Sequence, residues 1–319
     1  MSRKLLLTHS IDHTLLEKLK TSLLDWDIIA ATTKEEWTNH LVDAEIILGW
    51  RGKFDRESVS KNKNLQWIQT WSAGVNTLPL EQLSEQNVTI TSANGVHSNP
   101  ISETIFALML GLTRNIHGYV RNQTKKEWDN RDLTLEIHNK TIGIIGVGAI
   151  GKETAKIAKA FGMHVIGVRN SGKPEHYVDS MYTSEQLDEI LPECDYVVVT
   201  LPLTDATYHM FQAKQFKQMK NSSFFINIGR GGLVKEDDLI DALETGEILG
   251  AGLDVFEKEP LPQTNKLWDL ENVIVTPHTS GSTEHYDSRV IEDIFLPNLA
   301  SYLNKEPLVK NVVDYQKGY

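Results

Sequence analysis

The chain has 319 residues, 40% of them hydrophobic and 24% charged, a composition ordinary for soluble globular proteins and a length sufficient for about two domains. Its 32 Lys and Arg against 43 Asp and Glu leave a net charge of −11, which argues against nucleic acid or an anionic membrane surface as partner, since both need a basic face. Cys194 is the single cysteine, so the sequence offers no disulfide frame and no thiolate metal site, and a structural thiol is the natural reading.

At the N-terminus three consecutive leucines, Leu5 to Leu7, give way at once to polar residues. We expect neither a secretory leader nor a membrane span from this, and a cytoplasmic location by default. Residues 4–8 read as a strand, followed by a helix from Asp12 with Leu15, Leu16, Leu19, Leu23 and Leu24 on one side. Residues 27–31 are strand-like, and Thr33-Lys34-Glu35-Glu36 has capping-box spacing. Residues 45–48, 65–70 and 88–91 read as further strands, so the first ninety or so residues form a small α/β domain with a mainly parallel sheet. Asn99 and Pro100 should cap and open a long helix whose apolar face is Ile101, Ile105, Leu108, Met109 and Leu112. A polar surface segment over 122–132 precedes the central stretch of the chain.

That stretch is TIGIIGVGAIGKETAKIAKAFGMHVIGVR, Thr141 to Arg169. A β-branched strand runs into Gly146, Gly148 and Gly151 as G-x-G-x-x-G. A helical pattern then carries Ile150, Ile157, Ala158 and Phe161, Gly162 stops it, and residues 164–168 form a second strand. A strand, a glycine turn, a helix and a strand within about thirty residues make a dinucleotide-binding unit. The glycines supply a tight turn, close approach to a pyrophosphate and close packing of helix on strand. The helix N-terminus adds free N–H groups and partial positive charge. Alternation then resumes, with a helix near 184–191, strands at 196–200 and 224–228, a helix at 235–244 stopped by Gly246, strands at 249–255 and 273–276, and a final helix over 283–303. Two α/β domains with a cleft between them is the expected arrangement.

Three strand ends in the C-terminal half carry candidate chemistry. Asn227-Ile228-Gly229-Arg230-Gly231-Gly232 places an arginine past one strand, and Asp254-Val255-Phe256-Glu257-Lys258-Glu259-Pro260 places acids past the next. Thr276-Pro277-His278-Thr279-Ser280-Gly281 places a histidine past the third. Ligands of open α/β sheets bind at strand carboxyl ends, so the three converge on the cofactor site.

Together these runs resemble the D-isomer-specific 2-hydroxyacid dehydrogenases over essentially the whole chain, in the glyoxylate/hydroxypyruvate reductase-like branch. The resemblance implies a Rossmann doubly wound parallel sheet over 98–286 and a smaller flavodoxin-like substrate domain over 1–97, completed by 287–319, with hinges near Asn99 and Thr283. It implies an Arg–Glu–His catalytic set that maps onto Arg230, Glu259 and His278, with Glu257 as the competing acid. Cofactor contacts are implied at Gly146, Gly148, Ala149, Ile150, Gly151, Pro202, Thr207, Ile228, Gly229, Asp254, Ser280 and Gly281. Asp254 corresponds to the family's contact to the nicotinamide amide. Substrate contacts are implied at Trp50, Arg51 and the Ala73-Gly74-Val75 turn; Trp50 reads equally well as packing.

The residue types suit the chemistry. Arginine can grip the carboxylate of a 2-oxo acid in two charged contacts. A protonated His278 can supply the proton while hydride moves to the carbonyl carbon, and an adjacent carboxylate, Glu259, stabilises the charged ring. NAD-binding members place an acid about 20 residues past the glycines; this chain has Arg169-Asn170-Ser171-Gly172-Lys173 there, and Glu175 and Asp179 come too late to replace it. We therefore expect NADP(H) to be preferred, with NAD(H) possible, no metal, and a homodimer formed through the nucleotide domain, with the helix from Pro100 as a candidate contact. The alternatives are a phosphoglycerate- or formate-type NAD-dependent dehydrogenase, or a nucleotide-sensing interaction protein of the same fold.

Overall fold

A computed structural model describes residues 3–50, 59, 61–75, 77–130 and 133–315. The chain forms two compact units, one of residues 1–96 and 283–319, the other of 97–282.

The first unit holds a five-stranded sheet in the order β2-β1-β3-β4-β5, from Arg3–Leu7 (β1), Trp26–Ala30 (β2), Ile46–Leu48 (β3), Trp67–Gln69 (β4) and Thr89–Thr91 (β5). Every pairing is parallel, the flavodoxin-like order. Helix His13–Ser22 begins where Asp12 accepts the Leu15 N–H, and the short helix Lys34–Thr38 opens with the Thr33–Glu36 capping box. The C-terminal segment returns to this unit. Phe295 stacks on Trp67 at 4.7 Å, Tyr286 donates to the Trp71 carbonyl at 2.6 Å, and the Asn311 amide donates to Ser92 and Asn94 carbonyls. Tyr286 thus ties residues just past 282 to the first unit, which resumes at 283.

The second unit holds a seven-stranded parallel sheet in the order β12-β11-β10-β9-β6-β7-β8. Its strands are Thr141–Ile145 (β6), His164–Val168 (β7), Ser180–Tyr182 (β8), Tyr196–Val199 (β9), Phe224–Asn227 (β10), Gly250–Leu253 (β11) and Val273–Val275 (β12). The order reverses between β6 and β9, which is the switch point where doubly wound sheets open a crevice. Near-continuous apolar runs such as Tyr-Val-Val-Val in β9 are buried on both faces, as a parallel sheet requires. Helix Ser98–Thr113 lies inside this unit, with Ile101, Ile105, Phe106, Leu108, Met109 and Leu112 in the same core cluster as Ile142, Ile144 and Ile226. Its capping residue is His97 and not Asn99; Asn99 and Pro100 sit within the first turn. Cys194 is fully buried, lies beneath Gly143 and donates its thiol to the Ile190 carbonyl; burial pushes its pKa up to about 12, so it is a packing residue.

Candidate active site

The glycine turn sits at the switch point. Gly146 has φ +114°, and a Cβ there would lie 2.8 Å from Thr200 Oγ1, whose hydroxyl donates to the Gly146 carbonyl at 2.6 Å. A Cβ on Gly151 would meet the Gly146 carbonyl oxygen at 2.4 Å, so only glycine lets the helix pack this closely. Gly148, by contrast, is exposed and faces open space at the start of helix Ala149–Ala160, which has no side-chain cap. Ala149, Ile150 and Gly151 open that first turn, where N–H groups lack intrahelical partners. This cradle fits a pyrophosphate. Thr200 is a contributor that sequence reading missed, since its part depends on β9 lying beside β6.

Loop 200–211 after β9 is locked by its own hydrogen bonds. The Thr207 hydroxyl donates to the Pro202 carbonyl at 2.8 Å and accepts from the Thr204 N–H at 2.8 Å. Pro202 is exposed, whereas Ile228 and Gly229 are buried where the next strand ends.

β10, β11 and β12 are neighbours in the sheet, and their carboxyl ends lead to Arg230, Glu259 and His278. His278 Nδ1 lies 2.7 Å from Glu259 Oε2, and the Phe256 N–H donates to Glu259 Oε1 at 3.0 Å. Partial burial pushes the Glu259 carboxyl upward, but the His278 contact and the Phe256 N–H outweigh it and leave the group below the usual carboxylate range. With Nδ1 held by Glu259, the other ring nitrogen of the exposed His278 has no hydrogen-bond partner among the described residues. His278 adopts φ +54°, a left-handed conformation uncommon outside glycine, and one that costs energy.

The loop that holds it is built on Asp254. This residue is 0% exposed, and its carboxylate accepts from the Thr276 hydroxyl at 2.6 Å and from the Thr279 and Ser280 N–H groups at 3.0 Å each. Its oxygens are thus engaged inside the protein, organising the 276–280 turn. Ser280 is itself buried, and the Gly281 carbonyl lies 2.8 Å from His97 Nδ1.

Arg230 is exposed, and the only hydrogen bond its guanidinium makes among the described residues runs to the neighbouring Gly229 carbonyl at 2.7 Å. No carboxylate among them pairs with it, so a charged planar donor set stands open. Its backbone is fixed by Asn227, whose amide donates to the Arg230 carbonyl and accepts from the Gly229 N–H, both at 3.1 Å. Glu257, the competing acid, faces elsewhere and pairs with His209 at 2.6 Å.

At the end of β7, the Arg169 guanidinium donates to the carbonyls of Lys173 and Pro174 and pairs with Glu175 at 3.1 Å. Glu175 also pairs with Lys152 of the glycine-motif helix at 2.7 Å. The sequence distance that set Glu175 aside is misleading, because the turn at Gly172 folds it back against Arg169. Asn170 accepts from Ser184, and Ser171 accepts from the Lys173 N–H. Asp179 caps β7 through the Val165 N–H and pairs with Lys159.

In the first unit, Ala73 and Gly74 are exposed in the turn after β4 and Val75 is buried. Trp50 is 8% exposed and belongs to a core cluster with Ile47, Ile68 and Val75, so its indole packs into the interior. Arg51 lies outside the described residues.

An open parallel sheet with a glycine cradle at its switch point defines a dinucleotide-binding α/β protein. The family model for the NAD binding domain of D-isomer specific 2-hydroxyacid dehydrogenases matches residues 106–280. Glyoxylate/hydroxypyruvate reductase B of Pectobacterium carotovorum is 36% identical over 272 residues, covering 83% of this chain and 84% of the relative. D-3-phosphoglycerate dehydrogenase of Methanocaldococcus jannaschii is 35% identical over 262 residues, 81% of this chain but 50% of its own length, so the match spans half of that relative. Among solved structures, an NADPH-dependent glyoxylate/hydroxypyruvate reductase from Sinorhizobium meliloti, in complex with NADP and sulfate, superposes with a TM-score of 0.77 at 28% identity, covering 99% of this chain and all of the other. The protein belongs to the D-isomer specific 2-hydroxyacid dehydrogenase family, a family of nicotinamide-dependent oxidoreductases.

Proposed function

We propose that the protein is an NADPH-preferring reductase of small 2-oxo acids, of glyoxylate or hydroxypyruvate type or larger, yielding D-2-hydroxy acids. One observation carries the reading: the Glu259–His278 pair at 2.7 Å lies one strand end away from an arginine with no carboxylate partner among the described residues. Arg230 takes the substrate carboxylate in a charged, two-pronged grip and orients the neighbouring carbonyl. His278 presents its outer nitrogen to the carbonyl oxygen and gives up a proton there, while Glu259 holds the inner nitrogen and steadies the charged ring. The bound nicotinamide supplies the hydride.

Preference for NADPH is supported by a strand end where two cations, Arg169 and Lys152, share one acid, Glu175, and by the likeness to a reductase named NADPH-dependent. A carboxylate at position 169 would repel a 2′-phosphate. Steady-state kinetics with both cofactors tests the preference. Wild type should show at least about tenfold higher kcat/KM with NADPH, one charge-assisted contact being worth about 1.5–3 kcal/mol, and Arg169→Asp should reverse the order. Equal efficiency with the two cofactors, or an unchanged ratio in the variant, contradicts it. A cytoplasmic homodimer completes the proposal; no helix among the described residues is long and apolar enough to cross a membrane.

A further inference from the structure

The segment Phe256-Glu257-Lys258-Glu259 holds two glutamates, and each takes a histidine. Glu259 takes His278; Glu257 takes His209, with Nε2 2.6 Å from Oε1. His209 lies at the far end of loop 200–211, its main-chain N–H donates to the Gly232 carbonyl at 2.8 Å, and its ring stacks on Tyr208 at 3.9 Å. We propose that His209 is a positioning residue for Arg230, clamping the loops after β9 and β11 around the turn that carries it. The inference rests on the reading of Arg230 as the partner of the substrate carboxylate.

Among the described residues the Arg230 guanidinium is tethered only to Gly229, so its aim is set by the backbone beneath it. That backbone is walled on both sides. Towards loop 200–211, a Cβ on Gly229 would lie 2.8 Å from the Leu201 carbonyl oxygen, and the Phe211 N–H donates to the Leu233 carbonyl at 3.0 Å. Towards the glutamate loop, a Cβ on Gly231 would lie 1.8 Å from the Phe256 carbonyl oxygen, so the two backbones are in direct contact. His209 joins the two walls, bonding the turn through its main chain and Glu257 through its ring.

Glu257 and Glu236 accept from each other's main-chain N–H groups, which sets two acids side by side, and Asp238 stands on the same helix as Glu236, paired with Lys235. A donor on Glu257 Oε1 offsets that crowding of like charge. Nε2–H donates from the matching neutral tautomer and from the protonated ring alike, so the clamp holds in either charge state. His209 also keeps φ +49°, a left-handed conformation that a non-glycine residue adopts at a cost. The cofactor part of the same loop has its own lock in Thr204 and Thr207, so loss of the clamp should reach the arginine and spare the nucleotide.

The test uses the full-length enzyme with glyoxylate as substrate. His209→Leu should raise the substrate KM about tenfold, lower kcat less, and leave the Kd for NADPH, measured by fluorescence titration, within about twofold of wild type. His209→Gln, which can still donate to Glu257, should recover most of the loss, and Glu257→Ala, an independent route to the same break, should reproduce it. A KM unchanged in both His209→Leu and Glu257→Ala overturns the inference, as does a Kd for NADPH that rises in step with KM, the pattern of general loosening. Arg230→Gln in the same assay separates the two claims. If it raises KM while the clamp variants do not, only the positioning role fails. If it leaves KM unchanged, the reading of Arg230 fails first.

Discussion

His278 would be an ordinary surface histidine were it not for what surrounds it. A left-handed backbone at φ +54°, a buried aspartate gripping three donors in its loop, and a glutamate on Nδ1 together aim one nitrogen outward. Such over-determination is expected where a side chain must be held ready to exchange a proton. Glu259 keeps its charge as pH falls through the usual carboxylate range and loses it only below, so its hold on the ring persists across neutral and mildly acidic conditions. Replacing the donor tests this at the level of one residue. His278→Gln should lower kcat by about 10²- to 10⁴-fold, the usual worth of a positioned acid or base, with the Kd for NADPH unchanged by titration. A kcat within threefold of wild type would remove His278 from the mechanism.

At the scale of elements, the site is made by three parallel strands ending side by side and by glycines that let their loops touch. Gly231 is the tightest of these, since its missing Cβ would lie 1.8 Å from backbone of the next loop. Gly231→Ala must push the arginine turn away from the glutamate loop. We expect kcat/KM to fall by at least about 10²-fold, the scale of loss that a misplacement of about 1 Å can cause, in a protein whose far-ultraviolet circular dichroism is unchanged; activity within twofold of wild type would show that the contact is dispensable. Much of this scale was legible in the sequence. The βαβ unit, the capping box at Thr33 and the three chemistry-bearing strand ends follow from local periodicity and glycine placement. What sequence could not supply was pairing across the fold. Thr200 beside Gly146, Glu175 folded back on Arg169, and Glu257 paired with His209 all depend on which loops meet. Strand β8 was missed because Ser180–Tyr182 is three half-buried residues with no apolar run.

At the scale of the whole molecule, the long helix Ser98–Thr113 is consumed by the core of its own unit, which removes most of the apolar face once offered for dimer contact. The apolar residues left in solvent nearby are Ile116 and Val120 on the following helix, Ile116–Lys125, and Trp128, which is 96% exposed. A homodimer would cover them, and Val120→Asp should then sediment as a monomer at micromolar concentration where wild type is dimeric; a monomeric wild type would dismiss the dimer. The acidic balance of −11 gives a small anionic substrate no general attraction, so local cations must do the work, and among the described residues Arg230 is open to do so. The central claim is that Arg230, Glu259 and His278 form a site that reduces 2-oxo acids. Its most direct test is the oxidation of NADPH by the intact protein against a panel running from glyoxylate and hydroxypyruvate to larger 2-oxo acids. The account predicts steady turnover with at least one member and a D-configured product wherever the product is chiral, falling by two orders of magnitude or more in Arg230→Gln. No turnover across the panel with NADPH or NADH, by protein that still binds the nucleotide, would contradict it.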